Sequence, residues 1–136
     1  MQTIRKSIIL LLLILLLFIP ALHKITADMP PDWFIRKFEN SWIAVLPSGL
    51  TMAFYCIVIL EIVGPLILFI GLLRMLLKKE ADAIVGAGLL VYYILFLILT
   101  FGSFMVQDYD NGFKDFMYFI GVLILERTLI STHQKA

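Results

Sequence analysis

The sequence predicts an all-α integral membrane protein, a four-helix bundle with a short interfacial helix between spans one and two. Of the 136 residues, 62% are hydrophobic and 15% are charged, and the mean hydropathy is +1.01. Soluble domains have about 45–50% apolar and about 25% charged residues, so this chain has too little polar material to cover a water-facing surface. The length predicts a single membrane domain, residues 1–136.

Four apolar segments approach the roughly 20 residues that a helix needs to cross a bilayer. The first span is predicted at about 7–25, where the run IILLLLILLLFIPAL is apolar on every face. The second and third are predicted at about 49–73 and 83–106. The fourth, at about 113–130, is interrupted near its end by a Glu126–Arg127 pair, which we place at the membrane interface or in mutual contact.

The segment MPPDWFIRKFENSWIAVLP between the first two spans predicts a short helix at about 32–46, which Asp32 can cap. Phe34, Phe38 and Trp42 recur at i, i+4 and i+8, so their rings share one stripe of that helix. Two interpretations follow. The helix is an anchor at the outer membrane interface, where Trp is favoured, or it is a lid over a cavity between the spans.

Charge placement predicts a multi-pass protein with both termini cytoplasmic. Seven of the 11 basic residues then lie on the cytoplasmic side: Arg5, Lys6, Arg74, Lys78, Lys79, Arg127 and Lys135. The basic start followed by an apolar run also fits a secretory signal peptide. A cut after Ala27 would require a small residue where Ile25 stands, so we expect the first helix to be retained.

Glu61 is the one charged residue in the stretch YCIVILEIVGPLILF, residues 55–69. A charge at the bilayer centre costs about 2.5–3.5 kcal/mol, and an ionisable group there is a candidate functional site. Counting inward from the ends of antiparallel spans puts Glu61 at the depth of Tyr92 and Tyr93, where the first and fourth spans offer only apolar side chains. We therefore expect the carboxyl to bond to one of these hydroxyls. The contact would join two helices or bind a ligand.

His23 and Lys24 follow the first apolar run at its predicted outer end. Their side chains either snorkel to the interface or bind a ligand head such as that of an anionic lipid. The tentative ligand-binding set is therefore Glu61, Tyr92, Tyr93, His23 and Lys24.

Several motifs together resemble the DoxX-type membrane proteins. They are Leu22-His23-Lys24-Ile25, the aromatic segment from Phe38 to Pro47, Glu61-Ile62-Val63-Gly64, and Gly71-Leu72-Leu73-Arg74. The chain departs from the family pattern at Ala21, at Pro65 and in the shortened spacing before Arg74. The resemblance implies a four-helix subunit of the bacterial plasma (inner) membrane, associated with respiratory or redox complexes. Relatives are linked to quinol oxidation, to thiosulfate oxidation and to assemblies of thiol-handling and superoxide-handling enzymes. The resemblance also makes a quinone head a candidate ligand of His23 and Lys24.

The residues present exclude most redox and hydrolytic chemistry within the chain itself. Cys56 is the only cysteine, so a dithiol or an Fe–S cluster cannot form. His23 and His133 are predicted on opposite sides of the membrane, and no set of His, Cys and carboxylates has metal-ligand spacing. Phosphate-binding loops, nucleophilic triads and basic stripes for nucleic acid are absent from the sequence. We therefore predict no catalytic residues, no metal, no covalently bound cofactor and no nucleic-acid partner.

Two functional hypotheses remain. The first is a non-catalytic accessory subunit that packs against other membrane subunits of a redox complex and contributes to a quinone or lipid site. The second is a small carrier or exporter component in which Glu61 is an intramembrane proton or solute site. A lone four-span unit with one buried acid encloses a transport path poorly, which favours the accessory subunit.

Overall fold

The computed structural model describes residues 2–26, 32–47 and 49–130, and every regular element in these ranges is an α-helix. The helices are α1 (Gln2–Thr26), α2 (Asp32–Phe38), α3 (Trp42–Val45), α4 (Gly49–Leu76), α5 (Asp82–Met105) and α6 (Tyr109–Ile130). The all-α prediction is confirmed. Ala27, His133, Lys135 and the side chain of Trp42, on which some predictions fall, lie outside the described residues.

Three helices, α1, α4 and α5, are long and apolar enough to cross a membrane. They contain 25, 28 and 24 residues, and at about 1.5 Å per residue each exceeds the roughly 30 Å hydrocarbon core. The predicted spans at 7–25 and 49–73 fall within α1 and α4, and the span at 83–106 ends one residue beyond α5. Helix α6 has 22 residues and covers the fourth predicted span, but it is not among the three.

The four long helices pack in a ring: α1 on α4, α4 on α5, α5 on α6, and α6 back on α1. Leu10, Leu68, Leu89 and Leu95 are completely buried along the centre of this ring. Small residues bring α4 and α5 close together. A Cβ added at Gly64 would lie 2.9 Å from Cε1 of Tyr92, so the backbone approaches the ring directly, as in other membrane helix contacts.

Helices α4 and α5 end in the same way, in a residue with left-handed backbone conformation. Lys78 has φ 59° and Gln107 has φ 64°. After α5, the Asp108 N–H donates to the Ser103 carbonyl (2.8 Å) and the Gln107 N–H to the Phe104 carbonyl (3.0 Å). This pair of bonds is the Schellman arrangement, and it turns the chain sharply into α6.

The predicted interfacial helix over 32–46 is wrong as a single helix, because it is broken at residues 39–41 into α2 and α3. Both the N–H and the hydroxyl of Ser41 donate to the Phe38 carbonyl, at 3.0 and 2.7 Å. Serine competes in this way for backbone acceptors and so ends helices. The predicted aromatic stripe is present within α2. The centroid of the Phe34 ring lies 4.8 Å from that of Phe38 and 5.0 Å from that of Phe54 in α4.

Candidate functional site

A buried ion pair joins α1 to α4. Lys24 Nζ lies 2.7 Å from Glu61 Oε1, and the two side chains are 21% and 4% exposed. The predicted hydrogen bond from Glu61 to a tyrosine is therefore wrong, and so is the snorkelling interpretation of Lys24. Depth counting requires that the spans end at common levels. The long Lys24 side chain in the last turn of α1 instead points inward to the carboxylate, because helical side chains lean toward the N-terminus.

Glu61 keeps spare capacity to accept hydrogen bonds. Among the described residues, no donor reaches its second carboxylate oxygen, Oε2, although that atom is buried. Pro65 lies four residues later inside α4, and because proline lacks an N–H, the Glu61 carbonyl loses its usual helical donor. A buried acceptor without a partner is costly and requires an explanation. Glu61 is therefore the most conspicuous polar residue of the bundle.

The two tyrosines bond elsewhere. Tyr92 is completely buried, and its hydroxyl donates to the Leu13 carbonyl of α1. The Tyr93 hydroxyl donates to Glu126 of α6. Glu126 was predicted at the interface or in contact with Arg127, so its bond to Tyr93 is a new finding. The tyrosines thus link α5 to its neighbours and are not gathered with Glu61 into one polar cluster.

A cavity of about 280 Å³ lies at the end of the bundle where α1 and α5 finish and α4 and α6 begin. We call it the outer cavity, after the orientation that charge placement predicts. Most of its lining is apolar or aromatic: Trp33, Phe34, Phe38, Leu50, Ala53, Phe54, Ile57, Ile98, Leu99, Phe101 and Gly102. The polar lining residues are Lys24, Lys37, Ser103 and Asp115. His23 is exposed and is not among the lining residues.

Helix α2 forms one wall of the outer cavity and is tied to the α5–α6 turn by Lys37. The Lys37 ammonium lies 3.0 Å from Asp108 Oδ2 and donates to the hydroxyl of Ser103, which is buried, at 3.1 Å. The Asn111 amide donates to Asp108 at 2.7 Å. These hydrogen bonds, first from Asn111 and then from Lys37, hold the pKa of Asp108 below its ordinary value. This geometry matches the lid interpretation of the segment.

The sequence analysis did not single out Lys37, Ser103, Asp108 or Asp115. Asp115 is half-buried in the first turns of α6 and lines the outer cavity. The one sequence signal that could have identified Asp115 was its charge near the start of the predicted fourth span. The Lys37–Asp108 pair joins residues 71 positions apart, and no pattern in a single sequence reports such a contact.

Other chemistry is limited in the part of the chain that the structure describes. No group of three or more His, Cys, Asp or Glu side chains could hold a metal ion there. Cys56 is a free thiol on the exposed side of α4. The arrangement can therefore bind a ligand through charge and hydrogen bonds, with apolar walls around it.

No family model, curated protein or solved structure matches the chain.

Proposed function

We propose that the chain is a non-catalytic accessory subunit of a membrane-bound redox complex. We also propose that its outer cavity binds the head of an amphiphile, and that this head is a quinone ring and not a lipid acyl chain. The proposal includes a DoxX-type bundle of four spans in the bacterial inner membrane, with both termini cytoplasmic. The buried Lys24–Glu61 pair beside an apolar cavity is the observation that carries it.

A fourth span through α6 is supported by the surroundings of its acids. Residues 116–125, FMYFIGVLIL, contain no charge. At one end of this stretch Asp115 lies against the outer cavity, and at the other Glu126 accepts a hydrogen bond from Tyr93. Intramembrane acids that face the bundle interior or a cavity are tolerated. The excess of basic residues at the opposite end of the bundle supports the orientation.

The outer cavity fits the ring of a quinone by size and by chemistry. Its volume of about 280 Å³ is near the lower limit of about 300 Å³ for small-molecule sites. The aromatic rings of Phe34, Phe38 and Phe54 would pack against a planar ring. An ammonium has three donors, and Lys24 uses one of them on Glu61, so two remain for a ring oxygen. An acyl chain has no polar atom that could accept these two hydrogen bonds from Lys24.

Fluorescence quenching tests ligand binding directly, because Trp33 lines the outer cavity and quinones quench indole emission. The chain has two tryptophans, so a Trp42→Phe background leaves Trp33 as the reporter. We expect saturable quenching by a short-chain quinone in mild detergent. Ala53→Phe fills the cavity and should abolish saturation, whereas Ala87→Phe, at an exposed position of α5, should not. Equal, non-saturating quenching in both variants would contradict the site.

The accessory role is tested by purification from native membranes in mild detergent, followed by mass determination. Co-elution with oxidase or dehydrogenase subunits supports the proposal. A homo-oligomer without other subunits contradicts it.

The unpartnered oxygen of Glu61 favours one competing function, a carrier with an intramembrane proton site. In proteoliposomes a carrier would couple solute uptake to an imposed pH gradient, and Glu61→Gln would abolish that coupling. We expect no gradient-driven flux in either protein, because Glu61 is held in an ion pair with Lys24 and is not a free proton acceptor.

A further inference from the structure

Two adjoining cavities lie at the opposite end of the bundle, where α1 begins and the chain turns from α4 into α5. One is polar and has a volume of about 290 Å³, and its charged lining residues are Lys6, Lys78, Lys79, Glu80 and Asp82. The other is an almost wholly apolar groove of about 330 Å³ between α1 and α4. Thr3 lines both, so the polar cavity opens next to the groove.

The charge at this end is predominantly positive. Residues 2–8 and 74–82 contain five basic residues, Arg5, Lys6, Arg74, Lys78 and Lys79, and two acidic ones, Glu80 and Asp82. Lys6 and Asp82 are engaged in interactions. Lys78 and Lys79 are exposed, and no ion pair satisfies either ammonium within the described ranges.

The Lys78–Lys79 pair is held in place by the backbone. The Lys79 N–H donates to the Arg74 carbonyl at 2.8 Å, and the Lys78 N–H to the Met75 carbonyl at 3.0 Å. These bonds form a Schellman turn around the left-handed Lys78. The turn thereby places two consecutive lysines in the lining of the polar cavity.

The groove beside it is suited to a hydrocarbon chain. Ile4, Ile8, Leu11 and Leu76 line it and are about half exposed. Thr3 and Ser7 are the polar residues that line the groove. The Ser7 hydroxyl donates to the Thr3 carbonyl at 2.7 Å, so it is satisfied within α1. Helices α1 and α4 are both candidate spans, so the groove lies along helices that run through hydrocarbon.

We propose that this end of the bundle binds an anionic glycerophospholipid, with the phosphate on Lys78 and Lys79 and one acyl chain in the α1–α4 groove. Basic pockets at the ends of membrane helices bind such head groups, at about 1 kcal/mol for each lysine near the surface. A charged pocket that continues into an apolar groove matches an amphiphile with an anionic head. The proposal is independent of the ligand in the outer cavity.

Native mass spectrometry of the full chain in detergent tests it, with phosphatidylglycerol and phosphatidylcholine as paired probes. We expect preferential retention of phosphatidylglycerol. Lys78→Gln with Lys79→Gln should reduce that preference about thirtyfold, from about 2 kcal/mol for the two lysines. Lys114→Gln, an exposed lysine at the other end, should leave the preference unchanged.

The groove is tested separately with Ile8→Trp, which fills it and leaves both lysines in place. We expect this variant to lose lipid retention, and glycerol phosphate, which has a head and no chain, to compete poorly. Equal retention of the two lipids by the natural chain would overturn the proposal. So would an unchanged preference in the double lysine variant, or full competition by glycerol phosphate.

Discussion

Removing either partner of the Lys24–Glu61 pair should have unequal effects on stability. Lys24→Met leaves a carboxylate that is 3% exposed without its ion-pair partner, and breaking a buried pair in this way costs about 3–5 kcal/mol. Glu61→Leu should cost only about 1 kcal/mol, because the freed ammonium is already 21% exposed near the end of α1 and can reach water. The lysine variant is therefore the more harmful.

The double variant Lys24→Met with Glu61→Leu should recover most of the loss, since a buried pair replaced by apolar residues is often neutral or stabilising. The assay is the free energy of unfolding in mixed micelles, measured by detergent titration for all four proteins. We expect a coupling energy of at least about 2 kcal/mol. Additivity within about 0.5 kcal/mol would show that the two residues do not interact and would refute the reasoning.

Three further predictions concern the helix ends and the α4–α5 contact. Asp108→Asn should weaken the tie to Lys37. The pKa of Asp108 is depressed in the folded state, so its contribution to stability is complete above the unfolded value of about 3.9 and is lost as pH falls through the lower folded value. An acid titration followed by helix content should show this loss in the natural chain and a flatter acid limb in Asp108→Asn; identical curves contradict it. Gln107→Gly should raise the free energy of unfolding by about 1 kcal/mol, because glycine adopts the left-handed conformation without a Cβ clash. A variant less stable than the natural chain would contradict the left-handed turn at Gln107. Gly64→Ala should cost about 1–3 kcal/mol through overpacking against a buried tyrosine ring, whereas Gly121→Ala, with open space around it, should be tolerated; equal effects would refute the close approach.

Sequence alone was sufficient for α1, α4 and α5, because their apolar runs are long enough to cross a bilayer. Glu61 was also found without a structure, since a single acid among aliphatic residues is visible in one dimension. Its partner was not. Relative helix heights and the reach of Lys24 are set by packing among four helices, and depth counting from span ends cannot recover them.

The break in the outer segment was missed for a local reason. The spacing of Phe34 and Phe38 is helical, and it does form a helix, but Ser41 donates twice to one carbonyl and stops it. The cavity wall that α2 builds depends on contacts with α4 and with the α5–α6 turn. These contacts are distant in sequence, so periodicity predicted the helix but could not decide between an interfacial anchor and a lid.

The most direct test is a dipolar-recoupling NMR experiment on the full chain in lipid bilayers, with ¹⁵N at Lys24 Nζ and ¹³C at the Glu61 carboxyl. We expect strong dephasing, because the ammonium lies 2.7 Å from Glu61 Oε1, and no dephasing between Lys24 and the carboxyl of Glu80 at the other end of the bundle. Absence of the Lys24–Glu61 coupling in bilayers would contradict the buried pair, and with it the binding site built around it.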